Sequence, residues 1–183
     1  AIFWCSILNS QNNISGTVSD SSFTMSNSIP ISITLPEKSV ATILTAGELL
    51  STDLKKFGFS ISLNRNDTDF QIIAGSLSDS AIKKIVIKNK INISGIQDKW
   101  EHYLIKAFVS LNGKKQSGIL IVGSDPRGTA YGMMEISRMI GVSPWHYWAD
   151  VPINTSKKLY FYINQTIIDG PKVKYRGIFI NDE

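Results

Sequence analysis

Apolar residues change period several times along the chain. Ile31, Ile33 and Leu35 alternate with Ser and Thr, so a half-buried strand is expected over 29–35. After Pro36, Val40, Ile43, Leu44, Leu50 and Leu54 share one helical side, which predicts a long helix over 37–57, closed by Gly58. Residues 59–63 alternate again and 70–74 form a short apolar run, giving two more strands around the polar turn 64–69. Residues 79–99 stay open: Ser78 or Asp79 suits a cap for a helix over 81–86, and Ile85-Val86-Ile87 suits a strand equally well. Residues 100–111 alternate, and Asn112-Gly113 signals a tight hairpin, so 118–122 should return antiparallel to them.

The chain is organised around residues 123–152, which follow the apolar run 119–122. Ile119-Leu120-Ile121-Val122 reads as a strand buried on both faces. Ser124 or Asp125 can cap the helix that follows, and Pro126 suits its first turn. Ala130, Met133, Ile136, Ser137 and Ile140 recur at helical spacing, with Tyr131, Met134 and Met139 widening the apolar face. Glu135 and Arg138 can pair on the wetter side. Gly141 and Pro144 end the helix before the cluster Trp145-His146-Tyr147-Trp148. Residues 159–163 read as a strand, Asp169-Gly170-Pro171 as a turn and 173–180 as a last strand. The sum is an α/β class fold, a mixed-sheet sandwich carrying the helices at 37–57 and 126–140. A new element begins near 172. The Ser- and Asn-rich stretch 9–28 reads as a linker or mobile end.

With 183 residues, 43% hydrophobic and 19% charged, the chain has the length and composition of one ordinary domain. Its formal charge of +4 comes with lysines in scattered pairs, so nucleic acid is not an expected partner. The lone Cys5 excludes an internal disulfide framework and a cysteine-based metal site. Residues 1–8 are apolar and fit either the remnant of a secretory signal or a first strand. Trp4 before Cys5 argues against a lipoprotein anchor. No other apolar run approaches the ~18 residues of a membrane span. The strand-like run at the end of the sequence is read as the start of a further domain, making the chain the front part of a longer protein.

The spacing Gly123-x4-Gly128-Thr129 invites a phosphate-loop reading, but Thr129 occupies the position where that loop needs Lys. Nucleotide binding is therefore not expected. His102 and His146 have no nearby Cys and no Ser-His-Asp arrangement, so neither zinc nor a hydrolase triad is supported. Arg127, in the first turn of a helix, could hold a carboxylate or pair with Asp125 or Asp150 on the surface. Trp145, Tyr147 and Trp148 could stack on sugar rings or bury a seam against another domain. Asn181, Asp182 and Glu183 follow an apolar strand, as polar residues do at the mouth of a (β/α)8 barrel, or else cap a helix. Two acids are what glycoside hydrolysis requires, but neighbours on one strand point opposite ways. Asp182 and Glu183 are not expected to be that pair.

The stretch GSDPRGTAYGMMEISRMIGVSPWHYWADVP, followed by GPKVKYRGIFINDE, resembles the N-terminal region of glycoside hydrolase family 115, the xylan α-glucuronidases. The likeness is close over 123–183 and earlier extends only to the order of elements. It implies an N-terminal α/β domain over 29–168, preceded by a flexible or signal segment over 1–28. Residues 169–183 would be a linker and the first strand, 175–180, of a (β/α)8 catalytic barrel that is incomplete here. The implied activity is metal-independent, cofactor-free, inverting removal of glucuronic or 4-O-methylglucuronic acid from glucuronoxylan. Inversion places two carboxyl groups about 6.5–9.5 Å apart with a water between them. Asn181, Asp182 and Glu183 would line the uronic-acid pocket, and Arg127, Trp145 and Trp148 would approach it from the N-terminal domain.

The catalytic acid and base would lie beyond Glu183, so this chain alone should be inactive. The implied partners are glucuronoxylan or a xylo-oligosaccharide, the rest of the same chain and a homodimer of the full-length form. The implied location is secreted or periplasmic. Two other readings stay open. One is a non-catalytic α/β accessory domain that binds carbohydrate or packs on a partner; the other is the front domain of another barrel glycosidase, such as a hexosaminidase.

Overall fold

Residues 119–122 are apolar at both parities and so need cover on both faces of their sheet, and the fold supplies it. The computed structural model describes residues 22–65, 68–109, 111, 116–143, 146, 158–162 and 165–177. In chain order the elements are β1 (Ser22–Ser26), β2 (Ile31–Thr34), α1 (Ala41–Lys56), β3 (Ile61–Leu63), β4 (Phe70–Ser76), α2 (Ser80–Lys88), β5 (Tyr103–Phe108), β6 (Ser117–Gly123), α3 (Pro126–Met139), β7 (Lys158–Tyr162) and β8 (Thr166–Asp169). Among the described residues six strands form one mixed sheet in the order β3-β2-β4-β6-β5-β8. The pairs β2–β3, β2–β4 and β4–β6 are parallel, while β5 runs antiparallel to β6 and β8.

Period-two alternation divides the core between the faces. Ile119 and Ile121 join Ile72, Ala74 and Ile105 in a cluster with Ile43, Leu50 and Leu54 of α1 and Met133 and Ile136 of α3. Leu120 and Val122 join Ile73 and Leu104 on the other side, against Ile82 and Val86 of α2. The sheet is thus sandwiched between α1 and α3 above and α2 below, a mixed α/β sandwich as the sequence pattern implies.

Residues 79–99, which the pattern leaves open, begin as a helix: Asp79 accepts a hydrogen bond from the Ala81 N–H at 2.8 Å and caps α2. The antiparallel return expected after residue 113 is the β5–β6 pair, in the register Ile105↔Ile121. Asn112 and Gly113 themselves lie outside the described residues.

In three places the structure departs from the pattern. Val40 and Leu44, expected on the buried side of the first helix, are 51% and 44% exposed. Val40 is the extended residue before α1. A Cβ at Gly47 would stand 2.8 Å from Leu35 Cδ1, so the small Ala46–Gly47 side lies down and Leu44 turns outward. Next, 22–26, within the expected linker, is a strand paired with β7 through Phe23↔Phe161 and Met25↔Leu159. Phe23 also meets Phe70 at 5.7 Å and Phe161 at 5.8 Å between ring centroids. Its apolar partners are distant in sequence, so local composition misses them. Finally, β8 forms the sheet edge where only the approach to a turn is expected, and β7 belongs to the small ribbon with β1 instead. Of the strand expected over 173–180, residues 173–177 are irregular and the remainder lies outside the described residues. No helix among the described residues is long and apolar enough to cross a membrane.

Candidate functional site

Residues 100–102 and 123–128 are stitched together where β5 begins and β6 ends. Gly123 permits the tight exit from β6, because a Cβ there would stand 2.1 Å from the Thr129 nitrogen. Asp125 then caps α3, accepting from the Gly128 N–H at 2.8 Å through Oδ1. Its Oδ2 accepts from the Glu101 N–H, also at 2.8 Å. The Ser124 hydroxyl accepts from the His102 N–H at 3.0 Å and donates to the His102 carbonyl at 3.1 Å. A Cβ at Gly128 would fall 2.2 Å from that same carbonyl oxygen, so only glycine lets α3 close on this segment. These bonds hold Glu101 at φ 57°, a left-handed conformation disfavoured for a residue with a side chain.

Held this way, Glu101 is 1% exposed and faces two guanidinium groups. Arg127 donates from Nη1 to Oε1 at 3.1 Å. Arg176 donates from Nη2 to Oε2 and, at 3.1 Å, to the Tyr131 hydroxyl. Its Nη1 reaches the Val173 carbonyl at 2.7 Å, which ties down the segment after β8. Arg176 also lies 5.7 Å from the Trp100 ring centroid and 5.8 Å from that of Tyr131. Lys174 Nζ approaches Trp100 at 5.7 Å and Tyr175 at 5.6 Å.

Burial alone would push the Glu101 carboxyl up. The hydrogen bonds and charges of Arg127 and Arg176 outweigh it and hold the group below the ordinary carboxylate range. An acid held ionised cannot supply a proton at neutral pH, so Glu101 positions the arginines and is no general acid. Elsewhere in the domain, burial first and the nearby charges of Glu135 and Asp169 raise the Tyr103 hydroxyl above its usual range.

Arg127 is the one sequence-predicted site residue among the described residues. The surface partners weighed for it are Asp125 and Asp150, but its ion-pair partner is Glu101. Trp145, Trp148, Asn181, Asp182 and Glu183 lie outside the described residues. His102 is packed structurally: its Nδ1 is 2.8 Å from the Trp100 carbonyl, and a Cβ at Gly170 would fall 2.5 Å from its ring. Sequence reading misses Glu101, Trp100 and Arg176 as site members. Arg176 stands 75 positions from Glu101, beyond any local spacing rule, although it lies inside the second motif that carries the family resemblance.

A groove of about 530 Å³ opens at the carboxyl ends of β2 and β4, lined by Pro36, Ser39, Val40, Ser78 and Asp79. Asp79 is already spent on its helix cap. Among the described residues no three His, Cys, Asp or Glu side chains gather to hold a metal ion.

No family model matches the sequence, and no curated protein does. Solved structures do. BtGH115A, a family GH115 4-O-methyl-α-glucuronidase with specificity for decorated arabinogalactans, aligns with 34% identity over 88% of this chain at a TM-score of 0.71. The chain is related to a glycoside hydrolase. It spans 20% of that enzyme's length. CpGH84D aligns over 87% of this chain and 23% of its own, with 12% identity and a TM-score of 0.54, a likeness of fold alone.

Proposed function

We propose that this chain is the front domain of a secreted or periplasmic glycoside hydrolase that removes glucuronic or 4-O-methylglucuronic acid side chains from a decorated polysaccharide, glucuronoxylan in the first instance. The observation that carries the reading is the 34% identity to a GH115 glucuronidase, sustained over 88% of the chain. Two motifs within residues 123–183 resemble the same family, and one of them holds Arg176. That neighbour has specificity for decorated arabinogalactans, so arabinogalactan stands beside xylan as a candidate backbone.

In this reading residues 29–168 are the domain that precedes the barrel and 169–183 lead into it. Asn181 and Asp182 line the uronic-acid pocket, with Glu183 beside them, and Arg127, Trp145 and Trp148 approach from the front domain. The acid and base lie beyond Glu183 and act by inversion across a water-sized gap. The test is uronic-acid release by a reading frame that extends past Glu183, given glucuronoxylan and decorated arabinogalactan in parallel. Release from either, with Asp182→Ala losing at least about tenfold in rate, a typical loss for a substrate-positioning group, supports the reading. Binding of either polysaccharide without release favours the accessory-domain alternative instead.

A further inference from the structure

We propose that the surface formed by Trp100, Arg127, Tyr131, Lys174, Tyr175 and Arg176 is itself a binding site for the carboxylate of a uronic-acid residue. It rests on the reading above for the sugar but belongs to this domain alone. Glu101 uses both carboxylate oxygens on its two arginines. Arg127 spends only Nη1 on that contact, its side chain is 67% exposed, and its other guanidinium N–H groups carry no hydrogen bond among the described residues. A buried acid thus orients a guanidinium whose remaining donors are left to water, and such a fork matches a carboxylate bidentately.

Among the described residues the neighbouring acids do not compete for it. Asp125 is committed to the Gly128 and Glu101 N–H groups, and Glu101 is closed by its arginines. Arg176 shares Glu101 with Arg127 and adds positive charge there, while Lys174 lies over the neighbouring Trp100 ring. Trp100 and Tyr131 are 38% and 39% exposed, and Tyr175 is 86% exposed. Arg176 already lies over Trp100 and Tyr131, and Lys174 over Trp100 and Tyr175, so a pyranose would rest its C–H side on the part of these rings that stays exposed, next to the cation that would take its acid. A neutral sugar would use the rings and leave the fork idle. A phosphate would use the fork and leave the rings idle. A uronic acid uses both.

The experiment titrates the 183-residue chain by calorimetry with three probes at matched ionic strength. These are a xylo-oligosaccharide bearing 4-O-methylglucuronic acid, the same oligosaccharide without the acid, and inorganic phosphate. The acidic sugar is expected to bind at least about tenfold more tightly than either other probe, the factor one charge-assisted bidentate contact supplies. Arg127→Met should abolish that preference, and Arg127→Lys should restore only part of it, since an ammonium lacks the fork. Tyr175→Ala should weaken both sugars and leave phosphate unchanged.

Equal binding of acidic and neutral sugars, or a preference that survives Arg127→Met, overturns the site. Phosphate binding as tightly as the acidic sugar overturns its assignment to a uronic acid. Uronic-acid release by the extended reading frame, with this chain blind to the acid, removes this site and leaves the enzymatic reading standing. Selective binding here without release in the extended frame does the reverse.

Discussion

Replacing Glu101 by Gln removes the charge that holds two arginines while keeping the shape of the side chain. One amide oxygen can still accept from one guanidinium, but the amide NH2 must face the other, donor against donor. A hydrogen bond to a charged group contributes about 1.5–3 kcal/mol, and exposed ion pairs contribute about 1 kcal/mol or less. Arg127 is 67% exposed and recovers water, whereas Arg176 is 35% exposed and loses its anchor. Glu101→Gln should therefore destabilise the domain by about 2 kcal/mol at pH 7, lowering the thermal midpoint by roughly 4–8 °C for a chain of this size.

The pH dependence follows from the direction of the shift. The Glu101 carboxyl titrates below its ordinary 4.5 when folded, so its stabilisation is complete above that value and fades as pH falls through the lower, folded-state value. Thermal melts of wild type and variant, followed by circular dichroism, should differ at pH 7 and converge as pH drops below about 4.5. A variant as stable as wild type at pH 7, or a gap constant down to pH 3, would show that the arginine pair does not hold this junction.

Gly128→Ala places a methyl 2.2 Å from the His102 carbonyl oxygen. Backbone rather than a flexible side chain must then move, so a loss of about 3 kcal/mol is expected in chemical denaturation. On α1, Leu50→Ala should cost about 3 kcal/mol, because Leu50 is fully buried. Leu44→Lys should stay within about 0.5 kcal/mol, because Leu44 is 44% exposed. Reversal of that order in urea melts would return Leu44 to the core face.

The central layer was legible because its signals are local. Residues 119–122 are apolar at both parities, Asp125-Pro126 marks a helix start, and Asn112-Gly113 after the alternating stretch 100–111 calls for an antiparallel return. The structure places β6, α3 and β5 there. Where a residue's partner is distant, the pattern is silent. Phe23 and Met25 look sparse in a Ser-rich stretch until Phe161 and Leu159 are set opposite them. Arg127 was legible as a cation at a helix start. Its partner Glu101, which lies 26 positions away in a left-handed turn, was not. Periodicity reports burial, and no periodicity joins three short segments around one carboxylate.

The measurement that tests the central claim most directly is proton NMR of the product released by the extended reading frame from glucuronoxylan and from decorated arabinogalactan. Hydrolysis with inversion of an α-linked side chain predicts that free 4-O-methylglucuronic acid appears first as its β-anomer, before mutarotation. Free acid appearing first as the α-anomer would contradict inversion, and no free acid from either polysaccharide would contradict the glucuronidase assignment itself.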